Sequence, residues 1–142
     1  MDLDGDFDLI VVSHLSVDIY QNNGSLTFTK LHVSDDDHTA LEVLDYDLDG
    51  DLDILGGENV WYENDGLLSF TSHSGFFFDD LEMDDIDGDG DQDIIVSHAN
   101  DLTLYNNDGT GSYAAETLLS GQGAGVLKVV DLNGYGHLAV VT

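Results

Sequence analysis

Three stretches of this 142-residue sequence carry its densest chemistry. Asp45, Asp47, Asp49 and Asp53 fall at positions one, three, five and nine of a loop whose sixth residue is Gly50, and Asp85, Asp87, Asp89 and Asp93 repeat the arrangement around Gly90. Asp2, Asp4, Asp6 and Asp8 flank Gly5 in the same order, with position one falling before Met1; Asp51 and Asp91 match Asp6 at position seven. Short carboxylates at alternating positions of a tight loop converge on one point, and the glycine allows the sharp turn that brings the carbonyl at position seven to join them. Carboxylates crowded in this way repel and raise one another's pKa values unless a cation sits among them, and roughly six to eight oxygen ligands suit calcium better than magnesium. Two complete Ca2+ sites and one truncated site are therefore expected. In a fourth copy, Asp131-Leu132-Asn133-Gly134-Tyr135, only Asp131 and Asn133 remain as ligand types, because Tyr135 and Ala139 stand at positions five and nine; that loop is expected to be empty.

Simpler readings fit less well. Solvated Asp-Gly turns are common in acidic proteins, but 14 Asp in three copies, each in register with a following apolar strand, exceed surface decoration. An EF-hand needs a bidentate Glu at position twelve, where Gly56 and Val96 stand here, and it needs flanking helices. The nonapeptide calcium repeat has the wrong period.

The elements that position these loops recur with them. The residue before each shared glycine lies at 4, 49, 89 and 135, giving a period of 40 to 46 residues. A second landmark keeps the same interval: Tyr20-Gln21-Asn22-Asn23-Gly24, Tyr62-Glu63-Asn64-Asp65-Gly66 and Tyr105-Asn106-Asn107-Asp108-Gly109. Asn-Gly and Asp-Gly predict a tight hairpin turn with positive φ at both central residues. Short segments rich in Val, Ile, Leu, Phe and Tyr read as strands: Leu9–Ser13, Val17–Tyr20, Leu26–Val33, Ala40–Leu44, Ile54–Leu55, Val60–Tyr62, Ile94–Ser97, Leu102–Tyr105, Ala114–Leu119 and Val126–Val130. No window shows a helical stripe. The fold class is all-β. Four antiparallel strands per period is the arithmetic of a β-propeller blade, so residues 1–142 are expected to form one partial propeller of about three blade repeats, with units near 1–44, 45–84, 85–130 and a partial 131–142.

Composition narrows the partners. Thirty acidic residues face only Lys30 and Lys128, a formal charge of −28, so nucleic acid and anionic membrane surfaces are excluded and cations are favoured. No apolar run is long enough for a membrane-spanning helix, and cysteine chemistry is absent with the residue itself. His14, His32, His38, His73, His98 and His137 lie too far apart in sequence to suggest a ligand cluster, and the adjacent pairs Ser13-His14 and Ser97-His98 point to opposite faces of a strand, so neither is a catalytic dyad. The recurring Tyr20, Tyr62 and Tyr105 read as blade packing; Trp61, the only tryptophan, is the better candidate for a ligand contact. Asn23-Gly24-Ser25 matches a glycosylation sequon that the turn already explains. No catalytic residues can be nominated.

The acidic loops, the period and the Tyr-x-Asn-[Asn/Asp]-Gly turn resemble the FG-GAP or VCBS repeats of integrin-α-type calcium-binding β-propellers, over nearly the whole chain. The resemblance implies side-chain ligation by Asp45, Asp47, Asp49 and Asp53 with the Asp51 carbonyl, by Asp85, Asp87, Asp89 and Asp93 with the Asp91 carbonyl, and by Asp2, Asp4 and Asp8 with the Asp6 carbonyl. The Gly-Ala-Pro of integrin-type repeats is replaced by Val-Ser-His or Leu-Gly-Gly, closer to microbial VCBS-type proteins. The expected function is calcium-dependent adhesion or recognition of a protein or glycan ligand in an extracellular setting, without catalysis. Two alternatives are a subunit of an extracellular filament joined at blade edges and the non-catalytic part of a secreted polysaccharide-acting enzyme. A chain that ends inside blades is expected either to continue in a longer propeller or to associate with copies of itself.

Overall fold

A computed structural model describes residues 1, 4–38, 40–110, 112–121, 125–132 and 139–141. Among them all regular structure is strand. Strands β1 (Leu9–Ser13), β2 (Ser16–Asn22) and β3 (Phe28–Ser34) form a three-stranded sheet in that order. β4 (Leu41–Leu44), β5 (Asp53–Gly56), β6 (Glu58–Asn64) and β7 (Phe70–Phe77) form a four-stranded meander, repeated by β8 (Asp80–Asp84), β9 (Asp93–His98), β10 (Asp101–Asn107) and β11 (Tyr113–Leu119). β12 (Lys128–Val130) pairs with β13 (Ala139–Val141). The all-β class and the four-strand unit are thus observed, as antiparallel sheets of the size of propeller blades. The chain divides into two compact units, Met1–Phe76 and Phe77–Thr142.

Each unit has its own core. In the first, Val17 and Ile19 of β2 pack with Ile54 of β5 and Tyr62 of β6, all nearly inaccessible, so the three- and four-stranded sheets share one apolar layer. In the second, Ile95 and Leu102 pack with Leu127 and Val129. β5 and β9 are buried residue after residue, because both faces of these inner strands are covered; hence their unbroken apolar runs where a half-exposed strand would alternate. The outer β3 and β11 are mostly exposed and carry Thr29, Lys30, Glu116 and Thr117, polar residues that discourage further strand pairing.

The first core has a polar margin. The Tyr62 hydroxyl lies 2.7 Å from Asp36 Oδ2, 2.8 Å from Ser34 Oγ and 3.0 Å from His38 Nε2, while His38 Nδ1 lies 2.8 Å from Glu58. Burial, followed by the charges of Asp36 and Glu58, pushes the tyrosine up to about 12. Gly56 makes room for this network, since a Cβ there would come 2.5 Å from the His38 ring.

Two sequence expectations need correction. No strand is marked between Tyr62 and Ile94, yet β7 and β8 lie there. β7, Phe-Thr-Ser-His-Ser-Gly-Phe-Phe, lacks a β-branched run and is held by pairing with β6, against whose Val60 backbone Gly75 packs closely. β8 is masked by its acids, but Leu81 opposite Val96 and Met83 opposite Ile94 tie it to the buried β9. The repeated hairpin is also wider than a two-residue turn. The amides of Asn23, Asp65 and Asp108 donate to the carbonyls of Thr27, Ser69 and Ser112, and positive φ falls on Gly24, Ser25 and Leu26 and not on Asn23. The wider closure leaves the preceding asparagine free to reach the acidic loop.

Candidate metal centre

Each acidic loop connects the first and second strands of its sheet, β4 to β5 and β8 to β9. The loops are wound by their own carboxylates. Asp45 Oδ2 accepts the Gly50 amide at 3.1 Å, Asp47 Oδ1 that of Asp49 at 3.2 Å, and Asp49 Oδ1 that of Asp51 at 2.9 Å. In the second loop Asp85 Oδ2 accepts the Gly90 amide at 3.1 Å, Asp87 Oδ1 that of Asp89 at 3.1 Å, and Asp89 Oδ1 that of Asp91 at 3.0 Å. Gly50 and Gly90 sit at φ +102° and +103°, a conformation costly for any residue with a Cβ.

The outcome is convergence: one oxygen each from Asp45, Asp47 and Asp49 lie within 4.8 Å of one another, and the same holds for Asp85, Asp87 and Asp89. Asp45 Oδ1 is buried and accepts no hydrogen bond. A buried carboxylate oxygen without a donor is costly, and a hard cation shared with the two neighbouring carboxylates removes the cost. The donor set, all carboxylate oxygen on a glycine-turned loop, fits calcium. Asp47 records the crowding: its carboxyl is pushed above the usual range by desolvation and by the charges of Asp49, Glu63 and Asp45, against the Asp49 amide, which pulls it down.

The ninth-position residues stand apart. Asp53 and Asp93 are fully buried, and their oxygens already hold backbone amides. Asp53 Oδ2 accepts from Tyr46 and Oδ1 from Asn64, both at 2.9 Å; Asp93 Oδ2 accepts from Ile86 at 2.9 Å and Oδ1 from Asn107 at 2.8 Å. Asp8 repeats the arrangement, with Oδ1 accepting from Asn22 and Oδ2 from the amino group of Met1, both at 2.9 Å. The asparagine then donates its side-chain N–H to the carbonyl of the residue before the aspartate, Asn22 to Phe7, Asn64 to Leu52 and Asn107 to Gln92. This Asp–Asn clasp, made three times, locks loop to hairpin. Sequence reasoning missed its asparagines, and the signal was their fixed place two residues after each repeated tyrosine. Burial pushes the Asp53 carboxyl up, while the Asn64 and Tyr46 amides pull it down.

Position seven contributes differently. The Asp51 and Asp91 side chains lie against Gly66 and Gly109 of the hairpin and are not part of the three-carboxylate clusters. In the first copy Asp4 Oδ1 accepts the Asp6 amide at 2.9 Å, whereas Asp2 lies outside the described residues, as does most of the fourth loop, including Asn133 and Tyr135.

Trp61 stands between two rings, stacked on His73 at 4.7 Å and tilted against Tyr46 at 4.8 Å, so packing already accounts for it. The five described histidines each lie beside a carboxylate: His14 by Asp37, His32 by Asp18 and Asp35, His38 by Glu58, His73 by Glu63 and His98 by Asp79.

Compared with protein-family models, residues 1–56 and 85–142 match the FG-GAP-like repeat. The chain belongs to the FG-GAP-like repeat family. Both matched stretches contain an acidic loop with the strand that follows it, so the Asp-rich turns of this FG-GAP-like chain lie within the part that defines the family. No curated protein and no solved structure matched the chain.

Proposed function

We propose that this FG-GAP-like chain is a calcium-binding β-propeller-type module that works by recognition outside the cell, with protein or glycan ligands. The observation that carries the metal reading is the convergence of Asp45, whose Oδ1 is buried without a donor, with Asp47 and Asp49, a grouping that recurs at Asp85, Asp87 and Asp89. Asp45, Asp47 and Asp49, and their counterparts Asp85, Asp87 and Asp89, would hold the ion, joined by the carbonyls of Asp51 and Asp91. Asp53 and Asp93 serve chiefly to fix the loop, with lone pairs left for ligation. Bound calcium supplies positive charge that lets three carboxylates share one turn. Exposed loops of this type suit the millimolar calcium found outside cells. Ligand recognition rests on the family and on a sheet scaffold that the clasped loops hold rigid.

A second reading is favoured by β1. It lies at the edge of its sheet with Leu9, Val11 and Val12 exposed, and Phe7 beside it is 94% exposed. Such an edge suits strand addition by another copy of the chain.

Isothermal titration with calcium, paired with sedimentation in calcium and in chelator, tests both readings. At least two calcium ions per chain are expected. Absence of saturable calcium binding overturns the metal reading, and a monomer at all concentrations overturns the assembly reading.

A further inference from the structure

The two complete loops share every acidic position but differ in the residue that leans on position three. In the 85–93 loop, Asn106 donates its side-chain N–H to Asp87 Oδ2. In the 45–53 loop, the residue between the repeated tyrosine and asparagine is Glu63. Its Oε2 is held by His73 Nε2 at 2.6 Å, and His73 is held in turn by stacking on Trp61, which packs against Tyr46 of the loop itself. Glu63 stands at the place in the repeat from which Asn106 contacts Asp87 in the other loop. A second difference points the same way. Both oxygens of Asp85 accept loop amides, from Gly88 at 2.8 Å and Gly90 at 3.1 Å, whereas Asp45 spends only Oδ2 and keeps Oδ1 buried and without a donor.

We infer that Glu63, positioned by His73, is an affinity-determining residue of the 45–53 loop, making it the tighter of two unequal sites for calcium-class cations. The inference rests on the calcium reading of the loops. The physical case is electrostatic. Glu63 adds a negative charge beside position three, while Asn106 adds none and occupies a lone pair of Asp87 that an ion would otherwise use. A unit charge a few ångströms from a divalent ion in a near-aqueous setting is worth about tenfold in affinity. The positioning by His73 resembles the outer-shell partners that orient ligands around bound metals.

Terbium(III) titration, with calcium as competitor, separates the sites because Trp61 is the only tryptophan and packs on the loop residue Tyr46. Terbium emission sensitised through Trp61 reports the 45–53 loop, and calorimetry with calcium counts all sites. The expected result is two unequal affinities, with the Trp61-sensitised site the tighter. Glu63→Gln, which keeps the side chain's shape, weakens that site by about tenfold, and Asn106→Asp strengthens the other. Far-UV circular dichroism confirms that each variant is folded, and Asn106→Asp keeps the test open if Glu63→Gln is not. Two bound ions with equal affinities, or a Trp61-sensitised affinity unmoved by Glu63→Gln, overturn the inference while leaving the loop reading intact. No saturable binding of either ion overturns both.

Discussion

At the residue scale, aspartates that look interchangeable in the sequence differ in what they already hold. Asp53 and Asp93 are buried acceptors of backbone amides, whereas Asp49 and Asp89 are exposed and turn one oxygen to the amide two residues on, that of Asp51 or Asp91. Asp53→Ala leaves the Tyr46 and Asn64 amides without their acceptor, and at about 1–3 kcal/mol for each stranded donor it should lower stability by about 2–6 kcal/mol in urea titrations run with chelator. Asp49→Ala should change stability in chelator by less than about 1 kcal/mol, yet it should abolish calcium binding at its loop in calorimetry. The convergence of the loop aspartates was legible because short carboxylates that alternate around a glycine are turned towards one point. The clasp asparagines Asn22, Asn64 and Asn107 were not, because the Asn-Gly and Asp-Gly pairs that follow them already account for a polar turn. The rings that flank Trp61 were not legible either, because uniqueness in a sequence says nothing about neighbours brought in by the fold.

At the scale of elements, β5 and β9 announced themselves by unbroken apolar runs, while β7 and β8 stayed hidden because their strand character comes from the neighbour each pairs with. Gly56, at the end of β5, shows how finely one strand is fitted. Gly56→Ala would drive a methyl into the His38 ring and should cost about 1–3 kcal/mol as overpacking, measured by chemical denaturation. The β2–β3 pair carries its own pH dependence. Asp18 of β2 lies opposite His32 of β3 and also meets Lys30 at 2.9 Å. Hydrogen bonds from Lys30, His32 and Ser16 bring its carboxyl down to about 2. A carboxyl lowered by folding stabilises the fold above its ordinary pKa and loses that contribution as pH falls through the lowered one. The melting-temperature gap between the native chain and Asp18→Asn should therefore be full near neutrality and close between about pH 4 and pH 2.

For the whole molecule, the four-strand period was legible because three copies keep loop, tyrosine and turn in the same order at similar spacing. The division at Phe76 and Phe77 was not, since no glycine- or proline-rich linker marks it. A formal charge of −28 sets the strongest global term: two calcium ions, once bound, would offset only a small part of it, and the remainder repels itself across the folded surface. Raising sodium chloride from about 10 mM to about 150 mM, which shortens the screening length from about 30 Å to about 8 Å, should raise the melting temperature even in chelator. A melting temperature independent of salt would show that the acidic surface is already neutralised by local pairing. The same imbalance leaves only two basic side chains, and both lie inside strands and in ion pairs, Lys30 of β3 with Asp18 and Lys128 of β12 with Glu82. Trypsin, which cuts after lysine and arginine, therefore has just two addresses, each reachable only when its strand opens. Native digestion should leave the chain whole for far longer than digestion by an acid-directed protease such as the Glu- and Asp-specific endopeptidases, and even full unfolding should give trypsin only the pieces 1–30, 31–128 and 129–142.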